Sequence, residues 1–273
     1  MKINKKIDLA ILILFPVIIA VMAAILKTNF LISTLLFFGL PSAWLIFRYP
    51  RATKKSFLFA ILFTLPLVAI VDYIMVVSRG WLIVSSIFSQ RFLGVVAWEQ
   101  FIWGVLFVFF LLMFYEYFLD RPEKKSIFEM LKISRPDVHQ LVRRAMQDFT
   151  WLLFFLFSLF IIAFLTEPNF LKIHYPYLII GTIIVLLPLS LFLFKFPNFW
   201  LRFLKATCYF AYLAVVVEYI GVKLNHWIFP GQEYLSVLPF FNFLIPFEEY
   251  FFYIILSAAG ILTYYEFFDD DKK

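Results

Sequence analysis

Five acidic side chains, Asp72, Glu99, Glu218, Glu248 and Glu249, lie inside or at the edge of long apolar runs. Acids are costly at membrane depth, so each needs a reason to be there. A carboxyl among apolar atoms and near a second carboxyl keeps its proton more readily than one in water. An ionised neighbour accepts a proton. Phe, Tyr and Trp faces stabilise a carbocation between two such transfers by cation–π attraction. That sequence of steps calls for no cofactor, redox or metallic.

The spacing of these acids is doubled. Asp72-Tyr73 is followed by Trp81, and Glu218-Tyr219 by Trp227, 146 residues on. Ala97-Trp98-Glu99-Gln100-Phe101 answers to Pro246-Phe247-Glu248-Glu249-Tyr250 at an offset of 149, and Tyr115 and Asp120 to Tyr264 and Asp269 at the same offset. Phe47-Arg48-Tyr49-Pro50 answers to Phe194-Lys195-Phe196-Pro197 at 147. An ordered series at so constant a period marks an internal repeat. Neighbours on a helix point about 100° apart, so Glu248 and Glu249 face different ways. Glu248 corresponds to Glu99 and Glu249 to Gln100, which makes Glu99/Glu248 the stronger candidate for a shared role. The competing reading is structural: the acids pair with Tyr73, Tyr219, Trp81, Trp227, Asn225 or His226 and pin helices together. Glu116 and Glu266 fall at the opposite helix ends, where interfacial water accounts for them.

Eight apolar runs position these residues: Leu9–Leu26, Phe30–Phe47, Phe57–Val77, Phe92–Phe118, Phe149–Leu165, Tyr177–Phe194, Phe203–Val222 and Phe243–Phe268. The chain is 64% hydrophobic with 39 Phe, and its mean hydropathy is +0.92. Crossing hydrocarbon takes roughly 20 residues of helix, and lipid satisfies no open backbone group, so the runs are helices. The expected fold is an all-α integral membrane protein: eight transmembrane helices as two parallel four-helix repeats, 1–120 and 149–273, about a pseudo-twofold axis along the membrane normal. Residues 121–148 link them. Val138, Leu141, Val142, Ala145 and Met146 share one face there, which suits a short amphipathic surface helix or a plain linker helix. The first run starts basic, like a signal peptide, but is long and lacks a small-residue cleavage site, so it reads as retained.

Threading eight crossings from a cytoplasmic N-terminus leaves Lys27, Arg79, Arg91, Lys172 and Lys223 outside and the other 19 of 24 Lys and Arg inside. That asymmetry is the positive-inside pattern of a multi-pass cell-membrane protein with both termini cytoplasmic. The net charge of +6 then reflects topology and anionic lipid, with no nucleic-acid partner. Cys208 is alone, and His139, His174 and His226 are scattered, so neither a disulfide nor a spaced metal site is expected. No phosphate loop or dinucleotide fingerprint is present.

Pro246-Phe247-Glu248-Glu249-Tyr250-Phe251-Phe252 resembles the Pro-x-Glu-Glu-x-x-Phe motif of the integral membrane lycopene cyclases. Glu218-Tyr219 with Trp227 is similar to that family's acid–aromatic pair and following Trp. The likeness extends over roughly residues 30–270 in a fused, two-repeat form. The first repeat departs from it: Ala97-Trp98-Glu99-Gln100 lacks the proline and one acid. The resemblance implies redox-neutral cyclisation of the ψ end groups of a linear carotene. Glu248 or Glu249 would be the acid, and Glu99, Asp72 or Glu218 the base or orienter. Tyr73, Trp81, Trp98, Tyr219, Trp227, Phe247, Phe251 and Phe252 would line a lipophilic isoprenoid. Two other readings stay open: a non-catalytic isoprenoid or carotenoid carrier, and an intramembrane prenyl-transferring enzyme, against which the missing aspartate-rich motifs count. The topology is testable: a cysteine at Lys223 is expected to react with an impermeant thiol reagent only from outside, and labelling only from the cytoplasm would overturn it.

Overall fold

The computed structural model describes residues 4–120 and 135–268, apart from the side chains of 135–149. Eight helical stretches dominate: α1 (Lys5–Leu26), α2 (Phe30–Arg48), α3 (Pro50–Val77), α4 (Trp98–Leu119), α5 (Arg135–Thr166), α6 (Pro176–Lys195), α7 (Pro197–Lys223) and α8 (Glu249–Phe268). All but α5 are long and apolar enough to cross a membrane, and the apolar part of α5, Thr150–Thr166, is shorter. The chain is a multi-pass, mainly helical membrane protein.

Two helices start later than their apolar runs. Phe92 turns back to bridge Val96, and α4 begins only at Trp98. Phe243–Pro246 is a strand (β4) paired antiparallel with Val237–Phe240 (β3). Apolar composition does not distinguish these segments from helix, but their backbone groups are satisfied by turn and strand pairing. Glu99 and Glu249 therefore stand in the first turn of their helices, not a turn or two inside. The linker face at Val138–Met146 lies outside the described side chains. Its backbone from Arg135 runs unbroken into Thr166, as one helix. Asp269 lies outside the described residues.

α4 sits in the middle. Every residue from Phe107 to Tyr117 is buried, so the helix meets neighbours on all sides. It packs against α2 and α3; α7 packs against α1 and α8, and α3 against α5. The lipid-facing surface is plain at Phe194, 92% exposed, and along Leu14, Ile18 and Ile25 of α1.

Features recur in matched places. α3 and α7 both end on a left-handed residue, Arg79 (φ 59°) and Asn225 (φ 54°). In each case the next N–H closes the helix, Gly80 onto Met75 O at 2.7 Å and His226 onto Gly221 O at 2.8 Å. The chain then enters two short strands, β1 (Leu82–Ile83) and β2 (Trp227–Ile228), that pair antiparallel with Leu82 opposite Ile228. At the other pole Tyr115 donates to Glu266, and Tyr265 donates to Glu116 at 2.7 Å. These exchanged partners stand 150 residues apart. Tyr115 thus corresponds to Tyr265; the expected match, Tyr264, instead donates to Ile184 O at 2.7 Å. The extra residue is taken up where α8 is π-helical, Glu249–Leu256, since an i→i+5 turn holds one residue more than an α-turn.

The same pole carries a buried ion pair. Asp8 accepts from Arg48 (2.8 and 2.9 Å) and from Tyr117 (2.5 Å), joining α1, α2 and α4. Breaking a buried hydrogen bond on one side costs about 1–3 kcal/mol. Tyr115→Phe and Tyr265→Phe are each expected to destabilise the detergent-solubilised protein by that much. A double-mutant cycle of Tyr265→Phe with Glu116→Gln, read by thermal unfolding, should show strong coupling; additive losses would mean that the contact does not hold the helices together.

An intramembrane cavity lined by carboxyls

A cavity of about 260 Å³ lies between α3, α4, α6 and α8. Its walls are aromatic and aliphatic, with Phe63, Trp103, Phe107, Phe252, Tyr253 and Tyr264 prominent. Three acids line it: Asp72 from α3, Glu218 from α7 and Glu249 from α8.

Each acid is aimed by a specific donor. Asp72 Oδ1 accepts from the indole of Trp81 and from the Gln100 amide, both at 2.8 Å. Glu218 Oε1 accepts from the indole of Trp227 at 2.9 Å. The Schellman turns bring each Trp back over the helix that precedes it, nine residues after its acid. Tyr177, at the start of α6, donates to Glu249 at 2.6 Å. Glu218 Oε2 is buried and has no hydrogen-bond partner among the described residues. Glu218 and Glu249 are close enough to interact electrostatically.

The two halves therefore differ in chemistry. In the first, an amide donates to an acid, and Asp72 is held as an acceptor. In the second, two carboxyls share the site, one of them with an uncommitted oxygen. Asp72, Glu218 and Glu249 thus face one apolar space walled by aromatic faces, where a protonated carboxyl can give a proton and an ionised one can take it.

Glu99 and Glu248, expected to be the shared functional position, do not line the cavity. Both are fully buried, but they turn toward the loops. Glu99 accepts from Ser86 Oγ and from Ile87 N at 2.7 Å, and Glu248 from Leu235 N at 2.7 Å. Their work is to hold the loops that precede α4 and α8. Helix phase explains the reversal: with 248 facing the loop, 249 faces inward.

Phase also sorts the expected lining residues. Trp81, Trp227 and Phe252 line the cavity. Tyr73, next to Asp72, packs on Phe160 and Phe164 of α5, and Tyr219, next to Glu218, on Phe241 and Phe243. Phe247 and Phe251 stack on each other, and Trp98 packs on Phe92 and Phe101. Sequence reasoning missed Tyr177; a tyrosine starting a helix at the depth of the acids was the available signal.

Loops close the end of the cavity near the acids. Tyr177 meets Trp81 at 5.2 Å, with Phe229 and Tyr234 behind it. Tyr234 donates to Gly80 O at 2.8 Å, and burial pushes its phenol up to about 12, so it stays a neutral donor near neutral pH. The opposite reach of the cavity, past Leu67, Ile184, Val185 and Ile261, is lined by part-exposed side chains.

Because Trp81 and Trp227 perform the same task, Trp81→Phe and Trp227→Phe are expected to lower stability by similar amounts, about 1–3 kcal/mol. Thermal unfolding in detergent measures it, and no loss in either variant would remove the indoles as anchors of the acids. No family model matches this chain, and no curated protein or solved structure matches it.

Proposed function

We propose that this protein is an intramembrane cyclase that closes a ring at the end of a linear isoprenoid, in the manner of the lycopene cyclases. The observation that supports this most is the meeting of Asp72, Glu218 and Glu249 in one aromatic-walled, apolar cavity. A carboxyl of the Glu218/Glu249 pair gives its proton to the terminal double bond. The internal double bond attacks the resulting cation and forms the ring bond. A neighbouring C–H proton then passes to a carboxylate, with Asp72, fixed by two donors, the best-placed acceptor. Atoms and electrons balance within the substrate, and the net reaction is an isomerisation.

The same reading includes the architecture: eight crossings as two parallel four-helix units related by an axis along the membrane normal. The matched helix ends, the β1–β2 pair and the exchanged Tyr–Glu contacts all favour it. The basic residues favour cytoplasmic termini, which places the acids toward the outer face. The substrate would be a carotene-like polyene dissolved in the bilayer.

Expression in cells that make lycopene, followed by pigment chromatography, tests the activity. Wild-type protein is expected to yield cyclic carotene. Glu249→Gln and Glu218→Gln should each cut ring formation about 10²–10⁴-fold, whereas Glu248→Gln should act mainly by loosening its loop. Full activity in both Glu249→Gln and Glu218→Gln would sink the assignment. Carotenoid that co-purifies unchanged with every variant, wild type included, would replace it with a carrier.

A further inference from the structure

A second cavity, of about 10 Å³, lies beside Trp103 and Trp227, which line both spaces. It is the counterpart of the first. Its α2 side is Phe30, Ser33, Thr34, Phe37 and Phe38, and 147 residues further on α6 gives the large cavity Tyr177, Ile180, Gly181, Ile184 and Val185. Ser33 is smaller than Ile180 and Phe30 is close in size to Tyr177, but the other three are larger on α2. Phe38 stands for Val185, Phe37 for Ile184 and Thr34 for Gly181. On α7, Phe210 stands where α3 has Thr64. Phe38 and Phe210 are nearly fully buried, and they pack on Phe107 at 5.6 and 6.0 Å. What is left has room for about one water molecule.

We infer that each chain has a single working pocket, in which one end of a long isoprenoid is processed per visit, and that aromatic plugs at Phe37, Phe38 and Phe210 have closed its twin. This rests on the cyclase reading for the identity of the ligand, but not for the count of sites. A 150 Å³ apolar cavity accepts benzene, so 260 Å³ accommodates roughly ten carbons. That is one end group of a long polyene. The rest of the chain leaves past Leu67, Ile184 and Val185 into lipid. A substrate with two equal ends must therefore depart half-processed and return reversed.

The test uses the full chain in detergent and an acyclic twenty-carbon isoprenol with a diazirine at its hydrocarbon end. Photolabelling and peptide mass spectrometry should find one label per chain, on the peptides of α6 and α8 around Gly181 and Tyr253. Val185→Phe, which copies the plug into the open pocket, should remove most of it. Phe38→Val with Phe37→Ile should add a second label on α2. Labels at both places in the wild type, no label at all, or full labelling of Val185→Phe would each overturn the inference. Should the double variant fail to fold, the wild-type count and Val185→Phe still decide it. One label per chain without any cyclic product would uphold the single pocket while removing the cyclisation.

Discussion

An indole N–H reaching back nine residues to a carboxyl is the interaction on which the site depends. A carboxyl at membrane depth without a donor is expensive. Trp81 and Trp227 supply that donor, and to do so each must leave its helix by a tight left-handed turn. The same turn starts the strand that pairs with its counterpart, so Leu82 meets Ile228 only because both Trp residues have turned inward. Acid, turn, strand and loop are thus one unit, present twice.

The two units differ in what they do with the shared geometry. Gln100 gives Asp72 a second neutral donor. Glu249 gives Glu218 a like-charged neighbour and draws in Tyr177 instead. One half gives its cavity acid two neutral donors, and the other gives Glu218 a single donor and an acidic neighbour. The space follows the chemistry, open where α6 is small and aliphatic and filled where α2 is aromatic.

Much of this was legible in the amino-acid sequence. Apolar runs marked the membrane helices, and the Asp72…Trp81 and Glu218…Trp227 spacing marked the acids with their donors. The starts of α4 and α8 were not legible, because Phe92–Val96 and Phe243–Pro246 are as apolar as the helices they precede. Nor was the choice between Glu248 and Glu249. A repeat match ranks positions by likeness, whereas facing a cavity depends on helix phase, and the most alike pair, Glu99 and Glu248, proved to be loop fasteners. Tyr73 and Tyr219 were misplaced for the same reason, each being one residue from an inward-facing acid.

Phase also gives the π-helical stretch of α8 a meaning. Sixteen residues separate Glu249 from Tyr265, and fifteen separate Gln100 from Tyr115. An ordinary α-helix counted back from Tyr265 would put Tyr250 in the inward position and swing Glu249 about 100° toward the loop. The widened turns absorb that rotation. The helix is thus keyed at one end by the tyrosine clamp and at the other by the carboxyl, and a single additional residue between them sets which side chain is turned into the cavity.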